Sequence, residues 1–319
     1  MNLQTPTLDE ISAARERLAS TALRTPLVRL PFGVSEREIH LKLENLQPIG
    51  SFKIRGAANA MALHRDRVTS EGVYTASAGN MAQGVAWCAR ELGVPCTVIV
   101  PDQAPQTKLD AIERLGGSII KRPFDEWWNV IVNHGDPEMN GLFIHPFADS
   151  AVMAGNGTIG LEILEDLDDV DAILVPYGGG GLSCGIGSAV RALSPNTRVY
   201  AVEVETAAPL SASLRARTPT AVSYMRTFID GMGSAAVSDE MWPLAQSLLA
   251  GSLVVTVAQI ASAIKLVAER CRVVAEGAGA ASLAAALHSN IDAKRIVCVI
   301  SGGNIDSTKL ATILAGDIP

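Results

Sequence analysis

A lysine between two apolar side chains is the first residue of this sequence that could serve as a nucleophile. Lys53 is flanked by Phe52 and Ile54 and follows the turn-forming residues 47–50. Apolar neighbours that exclude water favour the neutral amine, which can attack a carbonyl carbon. Because most lysines extend into solvent, this segment indicates a reactive amine without establishing one.

A run of four glycines offers a site for an anion. The run consists of Gly178, Gly179, Gly180 and Gly181. It follows a predicted strand, 172–175, and precedes a predicted helix, 182–193. Successive glycine N–H groups can turn toward one anion, and the helix N-terminus adds partial positive charge. We therefore predict a bound phosphate here; a flexible turn is the alternative.

Two further segments place small polar residues directly after predicted strands. Residues 77–80 (Ser-Ala-Gly-Asn) follow strand 73–75 and open a helix, so their amides and hydroxyl can hold a carboxylate. A simple N-cap at Ser77 or Asn80 is the alternative.

Ser301 follows the predicted strand 296–300. Because ligands of parallel sheets bind at the carboxyl ends of strands, we expect the Ser301 hydroxyl near a ligand.

A second glycine motif, Gly155 to Gly160, matches the dinucleotide pattern G-x-G-x-x-G. No predicted strand runs directly into it, so the structural context of a dinucleotide site is missing. We interpret the segment as structural and predict that it opens a helix running to Leu167. The tetraglycine run, for its part, lacks the Lys-Ser/Thr ending of a nucleoside triphosphate loop.

The elements that must position these residues alternate between strand and helix. The sequence predicts a strand at residues 97–100, a helix at residues 106–115 and a second strand at residues 118–120. This alternation predicts an α/β protein with mostly parallel sheets flanked by helices. We expect two domains: a small one of residues 66–148, and a large cofactor-binding one of residues 1–65 and 149–319.

Composition narrows the class of protein. The chain has 319 residues, 48% of them hydrophobic, and its net charge of −7 arises from 33 acidic and 26 basic residues without a basic block. That distribution argues against a nucleic-acid partner. We find no leader segment or long apolar stretch, and therefore expect a cytoplasmic protein without a membrane partner. Five cysteines without a C-x-x-C pair are interpreted as core residues.

Four segments, taken in order, resemble the threonine dehydratase and serine racemase family. They are residues 51–57, 77–80, 178–181 and 301–304. The resemblance spans nearly the whole chain, beginning at Arg24-Thr25-Pro26-Leu27. It implies fold type II of the pyridoxal-phosphate enzymes, which is the tryptophan synthase β-like fold, with the cofactor between two domains. It also implies a homodimer.

The resemblance assigns roles to individual residues. It implies that Lys53 holds pyridoxal 5'-phosphate as a Schiff base, with Phe52 beside the ring, Asn80 at the cofactor hydroxyl and Ser301 at the pyridine nitrogen. The phosphate is bound by Gly178, Gly179, Gly180, Gly181 and Leu182. The substrate carboxylate is bound by Ser77, Ala78, Gly79, Asn80 and Met81. The implied reaction removes water from a small β-hydroxy amino acid, such as L-threonine or L-serine, and yields a 2-oxo acid and ammonia.

Several departures from the family pattern leave alternatives open. Racemases of this family carry serine at the position of Ala78, and the usual histidine after the asparagine is Met81 here. A dehydratase for hydroxyaspartate or phenylserine, a serine racemase, a β-replacement enzyme and a non-catalytic cofactor carrier remain as alternatives. We find no basic residue near Met81 that would favour a dicarboxylate substrate.

Acidic residues of the family pattern are only partly present. The family's cation site would use Glu203, the Ala207 carbonyl and an acidic residue where this chain has Pro209, so we predict no metal site. The segment Val274 to Ala280 also matches the family. We expect it, including Glu276, to line the active site, and assign Glu276 no role.

Overall fold

The computed structural model describes residues 3–31 and 33–319. The strands are β1 (Leu27–Arg29), β2 (Glu38–Lys42), β3 (Val73–Ala76), β4 (Cys96–Pro101), β5 (Ser118–Arg122), β6 (Leu142–Phe143), β7 (Ala172–Pro176), β8 (Arg198–Val204), β9 (Gly251–Val255) and β10 (Arg295–Val299). The helices are α1 (Leu8–Leu18), α2 (Lys53–Leu63), α3 (Arg65–Glu71), α4 (Asn80–Leu92), α5 (Gln106–Arg114), α6 (Phe124–Val132), α7 (Ser150–Asp166), α8 (Gly181–Leu193), α9 (Pro209–Ala216), α10 (Trp242–Leu248), α11 (Val257–Leu266), α12 (Gly277–His288) and α13 (Ser307–Ala315).

The strands form two sheets. The larger sheet has the order β1-β2-β10-β7-β8-β9, and the smaller sheet has the order β5-β4-β3-β6. Every pairing is parallel except that of β1 with β2. The inner strands β3 and β7 are buried along their whole length, because helices cover both faces of a parallel sheet. The predicted α/β class with two mostly parallel sheets is confirmed. The domain boundaries at residues 66 and 149 stay a prediction.

The order of the larger sheet explains how distant segments meet. Strands β10 and β7 are neighbours, although more than a hundred residues separate them in the chain. Their carboxyl ends therefore lie side by side at one edge of the sheet. Ser301 follows β10 and the tetraglycine run follows β7, so the fold brings these two motifs together.

Helix α7 corrects one prediction from the sequence. It begins at Ser150, with Asp149 as its N-cap, so the motif from Gly155 to Gly160 lies inside the helix and does not open it. An added Cβ at Gly155 would collide with the backbone carbonyl of Arg55 on α2, and one at Gly157 would lie 2.9 Å from the carbonyl oxygen of Gly185 on α8. These glycines let three helices approach closely, and this packing explains the dinucleotide-like spacing.

Local end signals were more reliable than that motif. Thr7 and Glu10 form the predicted capping box at the start of α1. Gly93 ends α4 in the left-handed conformation, at φ +67.

The five cysteines are free, and four of them are buried. In the described part of the chain, no helix is long and apolar enough to cross a membrane.

Candidate active site

One cavity of about 290 Å³ collects the chemically active segments of the sequence. The residues that the sequence assigned to the cofactor and substrate all line it: Phe52, Lys53, Ser77, Ala78, Gly79, Asn80, Met81, Gly178, Gly179, Gly180, Gly181, Leu182 and Ser301. They come from loops after β3, β7 and β10 and from the first turn of α2. The fold therefore joins four distant motifs around one space.

Lys53 begins α2 and lies on the cavity wall. Its side chain is half-buried by surface area, but the cavity walls enclose its amine, and this burial lowers the pKa of Lys53 to about 8. The Nζ atom donates a hydrogen bond to the carbonyl oxygen of Pro146 and lies 5.2 Å from the centre of the Phe52 ring. No carboxylate pairs with Nζ in the described residues. The amine is thus accessible as a nucleophile or base near neutral pH.

Backbone hydrogen bonds join the lysine segment to the loop after β10. The Phe52 N–H donates to the Ser301 carbonyl at 3.0 Å, and the Gly303 N–H donates to the Gly50 carbonyl at 2.9 Å. Ser301 is 3% exposed. Because both segments are tied through the backbone, the separation of Lys53 and Ser301 does not depend on flexible side chains.

The tetraglycine loop presents unpaired donors. Among the described residues, no acceptor takes the N–H groups of Gly178, Gly179 or Gly180. Gly180 has φ +88, and α8 begins at the next residue. Gly180 is buried and Gly178 and Gly179 are half-buried, so their unpaired N–H groups need an anion or water. The helix dipole adds to the attraction for an anion. The loop therefore fits a phosphate group.

Phe147 explains why two of these positions exclude a side chain. An added Cβ at Gly179 would overlap the Phe147 ring, and one at Gly181 would collide with the Phe147 backbone. Phe147 follows the short strand β6 of the smaller sheet. Glycine is required here because a residue from the other sheet packs directly against the loop.

A second helix N-terminus faces the cavity from the smaller sheet. Helix α4 begins at Asn80, and its N-cap residue, Gly79, has no side chain to accept the free N–H groups. The Ser77 hydroxyl accepts only from the Gly79 N–H, at 3.2 Å. The simple N-cap by Ser77 or Asn80 is therefore not observed. These free amides suit a carboxylate.

Asn80 is held on both sides of its amide group. Its Nδ2 donates to Glu276 Oε1 at 2.7 Å, and its Oδ1 accepts from Asn304 Nδ2 at 2.8 Å. One Nδ2 hydrogen remains for a ligand. Burial raises the pKa of Glu276 to about 7, although the hydrogen bond from Asn80 opposes the shift. Glu276 lines the cavity, as expected, and is the buried acid that orients Asn80.

Two further residues that line the cavity belong to no motif that the sequence analysis identified. Lys108 lines the cavity from α5, and its Nζ lies 3.3 Å from Asp230 Oδ2. Trp127 lines it from α6 with a buried, unpaired Nε1. The sequence shows no basic residue near Met81, and Lys108 instead reaches the cavity from a separate helix. Lys108 follows a Pro-Gln-Thr helix start that carries no sign of a ligand.

Met81 is mainly a core residue, although it touches the cavity. Its side chain is 2% exposed and belongs to the core beneath the smaller sheet. A methionine at this position therefore makes the loop less polar than a histidine would.

Glu203 is saturated by protein donors. Its two carboxylate oxygens accept from the N–H groups of Leu210 and Ser211, at 2.8 and 2.7 Å, and from the Ser252 hydroxyl at 2.6 Å. It is 1% exposed. The carboxylate thus caps α9 at the position where the family pattern suggested a cation ligand.

One cluster of possible metal ligands lies beside the cavity. His134, His145 and Glu240 bring ligand atoms within 4.8 Å of one another. His145 Nδ1 accepts from two backbone N–H groups at 3.1 and 2.7 Å, so its Nε2 carries the hydrogen and donates to the Ile131 carbonyl at 3.2 Å. Burial lowers the pKa of His145 to about 3. His145 is therefore a neutral structural residue that fixes the Pro146 turn.

Comparison with known proteins agrees with this geometry. Residues 18–302 match the family described as pyridoxal-phosphate dependent enzyme. The chain belongs to this family. This match confirms the family resemblance, the fold type and the cofactor that the sequence motifs implied.

Its similarity to individual relatives extends over almost the entire chain. The enzyme is 39% identical over 313 residues to an L-threonine ammonia-lyase of Thermotoga maritima, covering 97% of this chain and 78% of the relative. It is 34% identical to a catabolic L-threonine dehydratase of Staphylococcus aureus, covering 96% and 91%. The structure of maize serine racemase matches with a TM-score of 0.90 and 31% identity, covering 98% of each chain.

The cavity residues fit pyridoxal phosphate. The tetraglycine loop and the start of α8 offer unpaired donors for the phosphate, and Lys53 offers a desolvated amine for the aldehyde. Ser301, rather than a carboxylate, is available for the pyridine nitrogen. When bound, the cofactor supplies an electron sink for negative charge at the substrate Cα.

Proposed function

We propose that this enzyme is an ammonia-lyase that removes water from L-threonine or L-serine and releases a 2-oxo acid and ammonia. One observation carries the proposal: a single cavity unites Lys53, an unpaired phosphate cradle and a second helix N-terminus suited to a carboxylate. The threonine ammonia-lyase and dehydratase relatives, at 39% and 34% identity, support the substrate class.

The proposed division of labour follows from the charges. The residues at 77–81 and the N-terminus of α4 bind the substrate carboxylate, and the residues at 178–182 bind the cofactor phosphate. Asn80 donates to the cofactor hydroxyl and Ser301 contacts the ring nitrogen. Phe52 packs beside the ring. A serine hydroxyl leaves the pyridine largely unprotonated, which disfavours transamination.

Lys53 is the proposed acid–base group. Its pKa of about 8 gives a sizeable neutral fraction near neutral pH, and the neutral amine takes the Cα proton. Lys53 then passes this proton to the β-hydroxyl, which leaves as water while the Cα–Cβ double bond forms. The resulting enamine consumes one water on hydrolysis, so the net change is amino acid to 2-oxo acid and ammonia.

The structural match to a serine racemase raises a second candidate. Racemisation needs an acid–base group on the substrate face opposite Lys53. Ala78 lies in the carboxylate loop where the racemase pattern has serine, and it offers no hydroxyl. Elimination is therefore the reaction that these residues favour.

The test is turnover by the purified enzyme supplied with pyridoxal phosphate. L-Threonine, L-serine, L-threo-3-hydroxyaspartate and L-threo-3-phenylserine are offered separately, and 2-oxo acid release is followed with Lys53→Ala as control. We expect release from threonine or serine by the wild type and none by Lys53→Ala. Cofactor binding without oxo-acid release from any substrate, together with turnover of O-acetylserine and sulfide, would instead establish replacement chemistry.

We further infer that the enzyme is a cytoplasmic homodimer. The family resemblance supports the dimer. Light scattering of the eluted protein should give twice the 33.5 kDa chain mass. A mass of one chain at all concentrations would contradict the dimer, and recovery of the native protein outside the cytoplasmic fraction would contradict the location.

A further inference from the structure

The cavity contains a second cation whose charge is already compensated. Besides Lys53, Lys108 is the basic side chain among the described residues that line the cavity. It projects from α5 of the smaller sheet and is 30% exposed. Its Nζ lies 3.3 Å from Asp230 Oδ2, so its ammonium group faces a carboxylate of the protein.

Asp230 lies directly beside a residue of the cavity wall. It lies in the connection between α9 and α10, next to Gly231, which lines the cavity. Gly231 adopts φ +82, and an added Cβ there would lie 3.8 Å from Glu276 Oε1. The connection therefore passes close to Glu276, the buried acid that orients Asn80. The Lys108–Asp230 pair therefore links α5, which contributes Lys108 to the cavity, to the connection that contributes Gly231.

A second lysine outside the cavity contacts the same carboxylate. Lys309 Nζ, on α13, lies 3.8 Å from Asp230 Oδ2. Asp230 is 41% exposed, and Lys309 is 37% exposed. Two lysines thus hold Asp230 in place, but only Lys108 faces the cavity. This arrangement allows the effect of charge in the cavity to be separated from the effect of anchoring Asp230.

We propose that Asp230 is a specificity-determining residue that masks Lys108 and thereby restricts the pocket to amino acids with an uncharged side chain. A substrate with a second carboxylate would need a free cation, and the ammonium of Lys108 is committed to Asp230. Without the Asp230 charge, Lys108 becomes the binding group for a side-chain carboxylate. This inference rests on the proposed ammonia-lyase function and names the substrate class of the same site.

The experiment compares kcat/KM for L-threo-3-hydroxyaspartate with kcat/KM for L-serine. The variants are Asp230→Asn, the double variant Asp230→Asn with Lys108→Met, and Lys309→Met as the matched control. We expect the wild type to prefer serine. Asp230→Asn should raise the hydroxyaspartate-to-serine ratio by roughly tenfold or more, because one charge contact is released. The double variant should lose this gain, and Lys309→Met should keep the wild-type ratio.

A binding measurement provides a readout that does not need turnover. Succinate and butyrate have the same number of carbons but differ by one carboxylate, and their binding to the holoenzyme perturbs the cofactor absorption. Asp230→Asn should tighten succinate binding alone, and Lys108→Met should reverse the change. Charge-specific binding is also expected to weaken with salt.

Three outcomes would overturn the inference. The wild type could turn over hydroxyaspartate with a higher kcat/KM than serine. Asp230→Asn could also lower kcat/KM equally for both substrates, which would limit Asp230 to a structural role. The gain could also persist without Lys108. Failure of every β-hydroxy amino acid to release a 2-oxo acid would instead refute the proposed function, and the succinate and butyrate constants would still decide the role of Asp230.

Discussion

Glu276 is the acidic side chain that lines the cavity in the described part of the chain. Burial raises its pKa from 4.5 to about 7, so the folded protein retains a proton that the unfolded chain releases at lower pH. The stability associated with that proton is present below pH 4.5 and is lost as the pH rises through about 7. The shift corresponds to about 3 kcal/mol.

Glu276→Gln should remove this dependence. Its amide oxygen can still accept from Asn80, but it does not ionise. We expect the free energy of unfolding of the variant, relative to the wild-type apoprotein, to increase by about 2–3 kcal/mol between about pH 5 and about pH 8. Urea denaturation at both pH values measures it. Glu91→Gln, on the exposed side of α4, is the control; parallel curves for Glu276→Gln and the wild type would contradict the assignment.

Some active-site residues could be predicted from the sequence, and others could not. Lys53 and Ser301 were found because each lies next to a recognisable turn or strand end. Lys108 and Phe147 reach the same cavity from an ordinary amphipathic helix and from a loop without any pattern. Lys108 and Phe147 reach the site only because the smaller sheet packs against the larger one. The pattern of residues within one segment does not show how two sheets pack together.

At the scale of elements, a buried charge network holds the helix that carries Lys53. Arg55 on α2 is 2% exposed and pairs with Glu44 at 2.8 Å and with Glu162 of α7 at 2.6 Å. Lys42 of β2 also reaches Glu162, at 2.6 Å. Burial alone would raise the pKa of Glu44, but the charge and hydrogen bonds of Arg55 hold it below its usual value. The network joins β2, α2 and α7.

Arg55→Met should therefore destabilise the fold strongly. It leaves two buried carboxylates without their main partner, and such losses cost about 3–5 kcal/mol. Arg67→Met is the matched control, because Arg67 pairs with Glu71 on the exposed face of α3 and should change stability by less than about 1 kcal/mol. Urea unfolding of both variants tests this expectation. Equal losses would show that the network does not support α2.

The glycine motif in α7 shows why an element cannot always be assigned by its letters. Gly155, Gly157 and Gly160 have dinucleotide spacing, yet they allow α7 to pack against α2 and α8. Close helix contact and phosphate approach both require glycine, so the same spacing serves either purpose. The missing strand before Gly155 was the informative signal, whereas the start of the helix at Ser150 depended on the Asp149 cap.

At the scale of the whole molecule, the two sheets and their parallel pairing followed from the alternation of strand and helix. The order of the larger sheet did not, because β10 enters between β2 and β7 from the far end of the chain. That insertion places Ser301 beside the tetraglycine loop and ties residues 50–52 to residues 301–303. The active-site cavity is thus a product of topology as much as of motifs.

The four motifs form one cofactor site around Lys53, and chemical trapping of the cofactor-bound lysine tests this arrangement directly. Borohydride treatment of the holoenzyme converts a lysine-bound pyridoxal phosphate to a stable secondary amine, and peptide mass mapping then locates it. We predict one modified peptide, containing Lys53, with unmodified Lys42, Lys108 and Lys309. Specific modification of another lysine, or none at all in protein that binds the cofactor, would contradict the account.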